Sequence, residues 1–583
     1  MTRLEHAFEE NVAEPIPWDR LLHASIGRMT GGISPTALQL AFFDWAGHLA
    51  LNPGRQLALQ EKALRKALRL SAYAGHCLAG DAEGRCIEPL EQDHRFDEPA
   101  WQRWPFSLIH QAFLLQQQQW HVATTGVPGV DPHHEEVVNF TVRQMLDVFS
   151  PSNFLPTNPE VLERTVNEGG MNLMRGAANW LEDAQRAIAG RPQRGSEEFV
   201  VGENLAVTPG KVVHRNALME LIQYSPTTDQ VHPEPILIVP AWIMKYYILD
   251  LRPGRSLIEY LVGQGHTVFV VSWKNPGPED REMGMADYRR LGVMEALDAV
   301  NAIVPDEKVH GVGYCLGGTL LTLAAAAMAR DGDERLASLS LLATQTDFTE
   351  PGELDLFIDE SQVSFLEDVM WASGYLSHEQ MAGAFHLLRS QDLVWSRLVR
   401  NYLMGEREPS FDLMAWNADA TRLPYRMHSE YLRHLFLHND LVEGRYDIGG
   451  RPVSVGDIQV PIFSIATRSD HIAPWASVYK IIRLARTEVT FLLTSGGHNA
   501  GIVSEPGHPR RSYQMQDFAP LGPTYPAERF ERETEHTEGS WWPAWQQWLA
   551  GRSGKPSKPP AMGAPAKGYT PYMDAPGEYV RMS

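Results

Sequence analysis

Residues 309–330 read VHGVGYCLGGTLLTLAAAAMAR. The strand pattern Lys308–Gly313 leads into Gly313-Tyr314-Cys315-Leu316-Gly317-Gly318, and an alanine-rich helical run follows without a spacer. A strand, a glycine-flanked reactive side chain and a helix in immediate succession make an elbow on which a nucleophile stands, here with cysteine where serine is commoner. The turn needs both flanking glycines, because a side chain at Gly313 or Gly317 would crowd the strand and helix around a strained central residue. Cys315 then sits at a helix N-terminus, where the dipole favours negative charge and the Leu316 N–H can stabilise an oxyanion. A buried structural cysteine between two glycines is the plainer reading, and the strand before it and the helix after it weigh against that.

Outward from this turn the chain keeps a strand-and-helix rhythm. Short apolar strand patterns at Ile236–Val239 and His266–Trp273 alternate with helical patterns at Ser256–Gln264 and Tyr288–Ile303. Leu336–Ala343, Val460–Ala466 and Val489–Leu493 extend the series, and Glu198–Ala206 and Lys211–Tyr224 read as strands ahead of it. Such alternation predicts an α/β class with a mainly parallel sheet, and the elbow makes it an α/β-hydrolase fold. Between about 347 and 455 the rhythm stops. Helical segments at Ser361–Ser373, His378–Leu388 and Asp392–Met404, with the aromatic-rich Phe411–Asn439, predict a cap inserted in the sheet. Leu38–Ala50, Gln56–Cys77, Phe106–His121 and Glu160–Ile188 predict a mostly helical start. Trp101, Trp104 and Phe106 read as a packing clasp. Trp541, Trp545 and Trp548 share one helix face and are expected to pack against the body. Gly551–Ser583 holds six Pro and five Gly among 33 residues and reads as an extended tail. The expected domains are a helical N-terminal domain over 1–196, a catalytic domain over 197–550 and the tail over 551–583.

A nucleophilic thiol needs a base and a carboxylate, which in this fold class follow the nucleophile in the order acid, histidine. Val460–Ala466 runs into Thr467-Arg468-Ser469-Asp470-His471, and Val489–Leu493 into Thr494-Ser495-Gly496-Gly497-His498. Cys315, Asp470 and His498 are therefore the expected triad. His471 is expected to line the site rather than act as the base. The loop after the first inner strand, Pro240-Ala241-Trp242-Ile243-Met244, is the expected source of a second oxyanion N–H near Trp242 or Ile243, with Trp242 lining the site. No metal is expected, since the histidines show neither H-E-x-x-H nor paired Cys/His spacing, and Gly313–Gly318 lacks the Lys-Ser/Thr of a phosphate loop.

Composition bounds the class further. The 583 residues carry 51 Lys+Arg against 72 Asp+Glu, a formal charge of −21. Such acidity disfavours long-range attraction to nucleic acid or an anionic membrane. No apolar run reaches the roughly 18 residues that a bilayer span needs. Glu5, Glu9, Glu10 and Glu14 stand where a secretory signal needs basic and apolar stretches, so none is expected. Three cysteines, Cys77, Cys86 and Cys315, make no disulfide framework, which predicts a reducing, cytoplasmic setting.

Further motifs stand on either side of the elbow: Lys245-Tyr246-Tyr247-Ile248-Leu249-Asp250-Leu251, Gly265-His266-Thr267-Val268-Phe269 and Ser272-Trp273-Lys274-Asn275-Pro276 before it, and Trp416-Asn417-Ala418-Asp419-Ala420-Thr421 after it. With Asp470-His471-Ile472, Gly497-His498, and Arg95-Phe96 and Pro99-Ala100-Trp101 near the start, the chain resembles the poly(3-hydroxyalkanoate) synthases in their single-polypeptide form. The resemblance implies an acyltransferase that polymerises (R)-3-hydroxyacyl-CoA into polyester with release of CoA. It implies Cys315 as the acylated nucleophile, His498 as its base, and Asp470 either orienting His498 or activating the incoming 3-hydroxyl. No cofactor is implied, coenzyme A being part of the substrate, and a homodimer on cytoplasmic polyester granules is expected. Met244 departs from the family, many members of which carry Asn before the lysine. A thiol suits repeated acyl transfer because one thioester replaces another, and a cap would exclude water from the acyl-enzyme. The rival readings are a cysteine-dependent thioesterase or intracellular polyester hydrolase of the same fold, and a non-catalytic granule-coating protein, against which the intact triad stands.

Overall fold

The computed structural model describes residues 17–583 except 80–84, 91, 193, 379, 382, 384–393 and 408, so part of the expected helix His378–Leu388 and the start of Asp392–Met404 lie outside the described residues. Among the described residues one large sheet contains Gly210–Arg215 (β1), Met219–Tyr224 (β2), Ile236–Val239 (β3), Val268–Trp273 (β4), Val309–Tyr314 (β5), Leu336–Leu342 (β6), Ile462–Thr467 (β7), Val489–Thr494 (β8), Ser512–Phe518 (β9), His536–Glu538 (β10) and Met573–Asp574 (β11). Their order across the sheet is β10-β9-β8-β7-β6-β5-β3-β4-β2-β1-β11. The run from β8 to β4 is parallel, and both margins are antiparallel. Every residue of β3, β4, β5, β7 and β8 is buried. Strands covered on both faces need no polar side, which is why they stand in the sequence as mainly apolar runs without regular alternation.

Three expected elements differ. Glu198–Ala206 is a set of turns, in which the N–H groups of Glu203, Asn204 and Leu205 all reach the Val200 carbonyl. Backbone groups used locally are not open to a sheet. Lys211–Tyr224 is a hairpin, broken where Asn216 Oδ1 accepts the N–H groups of Leu218 and Met219. Tyr288–Ile303 begins as a wider π turn, Tyr288–Met294, before the α-helix Glu295–Ile303. There Gly292 meets the Trp273 ring so closely that a Cβ would lie 2.3 Å from it.

The described residues divide into two compact units whose bounds differ from the expected domains: one holds the described parts of 1–32, 198–380 and 411–583, the other 33–197 and 381–410. Helix Pro17–Thr30 belongs with the sheet unit, where His23 Nδ1 lies 2.7 Å from Asp368 Oδ2. Sequence distance carried no sign of this, since both partners are ordinary surface residue types. In the second unit four helices begin on proline, at Pro35, Pro53, Pro132 and Pro159. Proline suits the first helical position, where an N–H would have no partner. Phe96, Trp101 and Phe113 form a buried cluster there, whereas Trp104 is exposed. The described part of 381–410, expected in the cap, groups with these helices, and a Cβ on Gly176 would lie 1.9 Å from the Tyr402 carbonyl oxygen.

The Pro/Gly-rich tail is docked along the sheet unit. β11 pairs with β1, Ser557 bridges Val231, and Val580 is buried. An open sheet edge offers backbone partners to any extended segment, whatever its side chains. Trp541, Trp542 and Trp545 are fully buried, and the Trp545 indole N–H donates to Ser340 Oγ on β6 at 2.9 Å. No described helix is long and apolar enough to cross a membrane.

Candidate active site

Cys315 joins β5 to helix Leu316–Asp331 with φ 51° and ψ −124°, a conformation that a non-glycine residue holds only when its surroundings enforce it. Its N–H donates to the Leu342 carbonyl at 2.8 Å, and its carbonyl accepts from the Gly318 N–H at 2.9 Å and Thr344 Oγ1 at 3.2 Å. The glycines admit the approach this requires. A Cβ on Gly313 would lie 2.3 Å from Gly318 Cα, and one on Gly317 would lie 2.2 Å and 2.4 Å from the carbonyl oxygens of Val239 and Pro240. Gly318 is needed as well, because its Cβ would fall 2.0 Å from Thr344 Oγ1. The repeated glycine in the motif was the available signal.

The sheet order β5-β6-β7-β8 brings the loops after β7 and β8 to the same edge as the elbow. His498 Nδ1 lies 2.7 Å from Asp470 Oδ2. The same oxygen accepts from Thr467 Oγ1 at 3.0 Å, and Oδ1 accepts the N–H groups of Ile472 and Ala473, each at 2.9 Å. Both residues are buried. Burial opposes ionisation of Asp470, but the charge and hydrogen bond of His498, aided by the two N–H groups, outweigh it and hold the carboxyl below its ordinary range. Burial likewise opposes protonation of His498, yet Asp470 together with the charge and hydrogen bond of the Cys315 thiol raise its pKa well above the ordinary value. Asp470 and His498 thus form a hydrogen-bonded pair beside the Cys315 thiol.

Tyr314 and Asn499, sequence neighbours of Cys315 and His498 to which the motifs gave no role, lie beside this pair. The Tyr314 hydroxyl donates to Asn499 Oδ1 at 2.6 Å, and its ring stacks 5.9 Å from that of His498. From the cap comes Tyr431, whose phenol is pushed well above its usual pKa by burial and by the Cys315 thiol. Its ring stands 6.0 Å from Trp242 and 5.3 Å from Phe436, and Phe436 lies 4.8 Å from Phe348. Aromatic residues of the cap thus gather beside the elbow. Their number was visible in Phe411–Asn439, but which of them faces Cys315 depends on how the cap folds back.

The Pro240–Lys245 loop is pinned by its carbonyls. Pro240 O accepts the Trp273 indole N–H at 2.8 Å, Trp242 O accepts Thr421 Oγ1 at 2.6 Å, Ile243 O accepts the Thr421 N–H at 3.3 Å, and Lys245 O accepts the Trp416 indole N–H at 2.7 Å. The motifs Ser272–Pro276 and Trp416–Thr421 therefore hold this loop against the elbow. Met244 bridges Ala420 and packs, like Cys315, against the main core. Leu316 opens the helix, so its N–H has no helical carbonyl behind it. His471 receives the Glu353 N–H on its carbonyl, at the root of the cap. All three cysteines are free thiols.

Comparison with known proteins bears on the same residues. Residues 92–261 match the family "Poly-beta-hydroxybutyrate polymerase (PhaC) N-terminus", residues 13–55 match "Poly-beta-hydroxybutyrate polymerase N terminal", and residues 234–504 match the α/β hydrolase fold. A poly(3-hydroxyalkanoate) polymerase of Methylorubrum extorquens is 41% identical over 472 residues, 80% of this chain and 78% of that protein. The chain belongs to the poly(3-hydroxyalkanoate) polymerase family. Polymerase subunits of Rhizobium meliloti and Cupriavidus necator are 39% and 38% identical, over 79% and 76% of this chain and 76% of each relative. Among solved structures, a monoacylglycerol lipase of Paleococcus ferrophilus is 13% identical and covers 57% of this chain and 99% of its own, at a TM-score of 0.33. The family is one of acyltransferases, and the fold is that of the α/β hydrolases, as the elbow predicts.

Proposed function

We propose that this chain moves (R)-3-hydroxyacyl groups from coenzyme A thioesters onto a growing polyester through acyl-Cys315. The observation that carries this reading is the hydrogen-bonded pair of His498 and Asp470 beside Cys315 on a strained elbow, in a chain of the polymerase family. Cys315 sulfur attacks the thioester carbonyl while His498 takes the thiol proton, and the same proton passes to the departing CoA sulfur. The oxyanion formed on the way is stabilised by the Leu316 N–H and by the Ile243 N–H, in the loop whose carbonyls are tied elsewhere. A 3-hydroxyl then gives its proton to His498 and its oxygen attacks acyl-Cys315, forming the ester bond and freeing the thiol. Asp470 holds His498 in the tautomer that both steps need. The aromatic residues around Tyr431 keep water from the acyl-enzyme. The family likeness further supports a homodimer associated with polyester granules, which sedimentation of the purified chain with and without polymer tests.

Incubation with (R)-3-hydroxybutyryl-CoA is expected to release CoA and yield insoluble polyester, and Cys315→Ala to abolish both. Release of CoA with only free hydroxy acid would overturn the proposal in favour of a thioesterase, which differs only in using water as acceptor.

A further inference from the structure

A second constellation lies in the cap, on the turn that follows Tyr431. Leu432–Leu437 winds as a π turn, and the chain leaves it through His438, Asn439 at φ 49° and Asp440. This path brings His434, His438 and Asp440 together, with one potential ligand atom from each within 4.8 Å of the others. His434 Nδ1 lies 2.7 Å from Asp440 Oδ2, and the other carboxylate oxygen accepts Arg445 Nε at 2.6 Å. Asp440 is buried, while both histidines reach solvent. The backbone beneath them is held: Asp440 N–H donates to the His434 carbonyl at 2.8 Å, and the Arg445 and Tyr446 N–H groups donate to the Asp440 carbonyl at 2.9 and 3.0 Å. Asn439 ties the turn to the root of the cap through the Phe348 N–H at 3.1 Å and Asp347 Oδ1 at 3.0 Å.

We propose that His434, His438 and Asp440 bind a divalent transition-metal ion of the zinc class. Two imidazole nitrogens and one carboxylate oxygen suit Zn²⁺, Ni²⁺ or Cu²⁺, whereas Mg²⁺ and Ca²⁺ call for oxygen donors throughout. Donors about 2.0–2.1 Å from a tetrahedral ion stand roughly 3.3 Å apart, so His434 and Asp440 need only a small separation to admit one. The ion takes the place of the hydrogen bond between these two residues, and the His434 imidazole then carries its proton on Nε2. Arg445 keeps the second carboxylate oxygen and orients the ligand, as outer partners of metal ligands do. Solvent supplies the remaining position. A bound ion would cross-link residues 434–440 and restrain the cap segment that carries Tyr431 and Phe436. The proposal does not depend on the chemistry assigned to Cys315.

The test titrates the full-length Cys315→Ala protein, which lacks the elbow thiol as a competing ligand, with zinc chloride by calorimetry and with Co²⁺ by visible absorption. One saturable site per chain is expected, with Co²⁺ d–d bands free of thiolate charge transfer. Outer partners alone are worth about 10–100-fold in affinity, so adding His438→Ala, whose exposed side chain is removed without disturbing the turn, is expected to weaken binding at least about tenfold. Adding His434→Ala as well should abolish it, with the circular dichroism spectrum unchanged. Absence of a saturable site, equal binding in the double histidine variant, or a thiolate charge-transfer band would each overturn the assignment.

Discussion

Asp470→Asn keeps the shape of the proposed triad and removes its charge. In the native chain Oδ1 accepts the Ile472 and Ala473 N–H groups, each at 2.9 Å, and Oδ2 accepts from His498 Nδ1 at 2.7 Å. An amide has one oxygen, and the two backbone donors claim it, because leaving a buried donor unpaired costs about 1–3 kcal/mol. The amide NH₂ then faces His498 Nδ1, which must offer it a lone pair. The imidazole proton moves to Nε2, the nitrogen toward Cys315, and the ring loses the site that receives the thiol proton. The same change in a Ser-His-Asp triad lowers kcat about 10⁴-fold through the wrong tautomer, or about 5.4 kcal/mol at 1.36 kcal/mol per tenfold. Acylation of Cys315 is therefore expected to fall about 10³–10⁴-fold. Intact-protein mass spectrometry measures the acyl-enzyme, and a thiol reagent measures released CoA. Acylation within about tenfold of wild type would refute the tautomer argument. Normal acylation with lost elongation would instead assign Asp470 to the 3-hydroxyl.

Three further outcomes follow from the same geometry. Gly317→Ala drives a Cβ to 2.2 Å from the Val239 carbonyl oxygen, and because backbone must move, urea unfolding is expected to show a loss of about 1–3 kcal/mol together with lost acylation; unchanged stability would mean that the elbow is not tight. His498 titrates above its ordinary value, so its stabilisation is complete below the unfolded value of about 6.5 and disappears as pH rises through the folded one. The Tm advantage of wild type over His498→Gln should accordingly widen from about pH 9 to about pH 6, and a constant difference would contradict the raised pKa. Tyr431→Ala removes a buried ring from the cap beside Cys315, and the ratio of free 3-hydroxy acid to polymer is expected to rise; an unchanged ratio would show that Tyr431 does not exclude water.

The parallel strands and the elbow were legible because their requirements are local. β5 is buried throughout, and the absent side chains of Gly313 and Gly317 leave room for Val239, Pro240 and Gly318. The loops carrying Asp470 and His498 could be placed by counting strands, since parallel neighbours deliver their C-terminal ends to one edge. The margins were harder to read. β9 mixes buried and exposed residues without regular alternation, and β11 spans two residues whose pairing depends on β1 having an open edge. The roles of Trp273, Trp416 and Thr421 were equally hidden, because each acts on the carbonyl of a residue distant in sequence.

From sequence alone came the strand-to-helix turn at Cys315, the helical start of the chain and the order of the strands whose loops share the elbow's edge, because backbone sterics and burial on both faces write themselves into neighbouring residues. Tertiary structure alone decided that Pro17–Thr30 joins the sheet unit, that 381–410 leaves the cap, that the proline-rich tail completes the sheet, and that Tyr431 comes to Cys315 while His434, His438 and Asp440 gather one turn later. These are contacts between segments far apart in the chain, chosen by which surfaces and backbone edges remain uncovered once the sheet has formed.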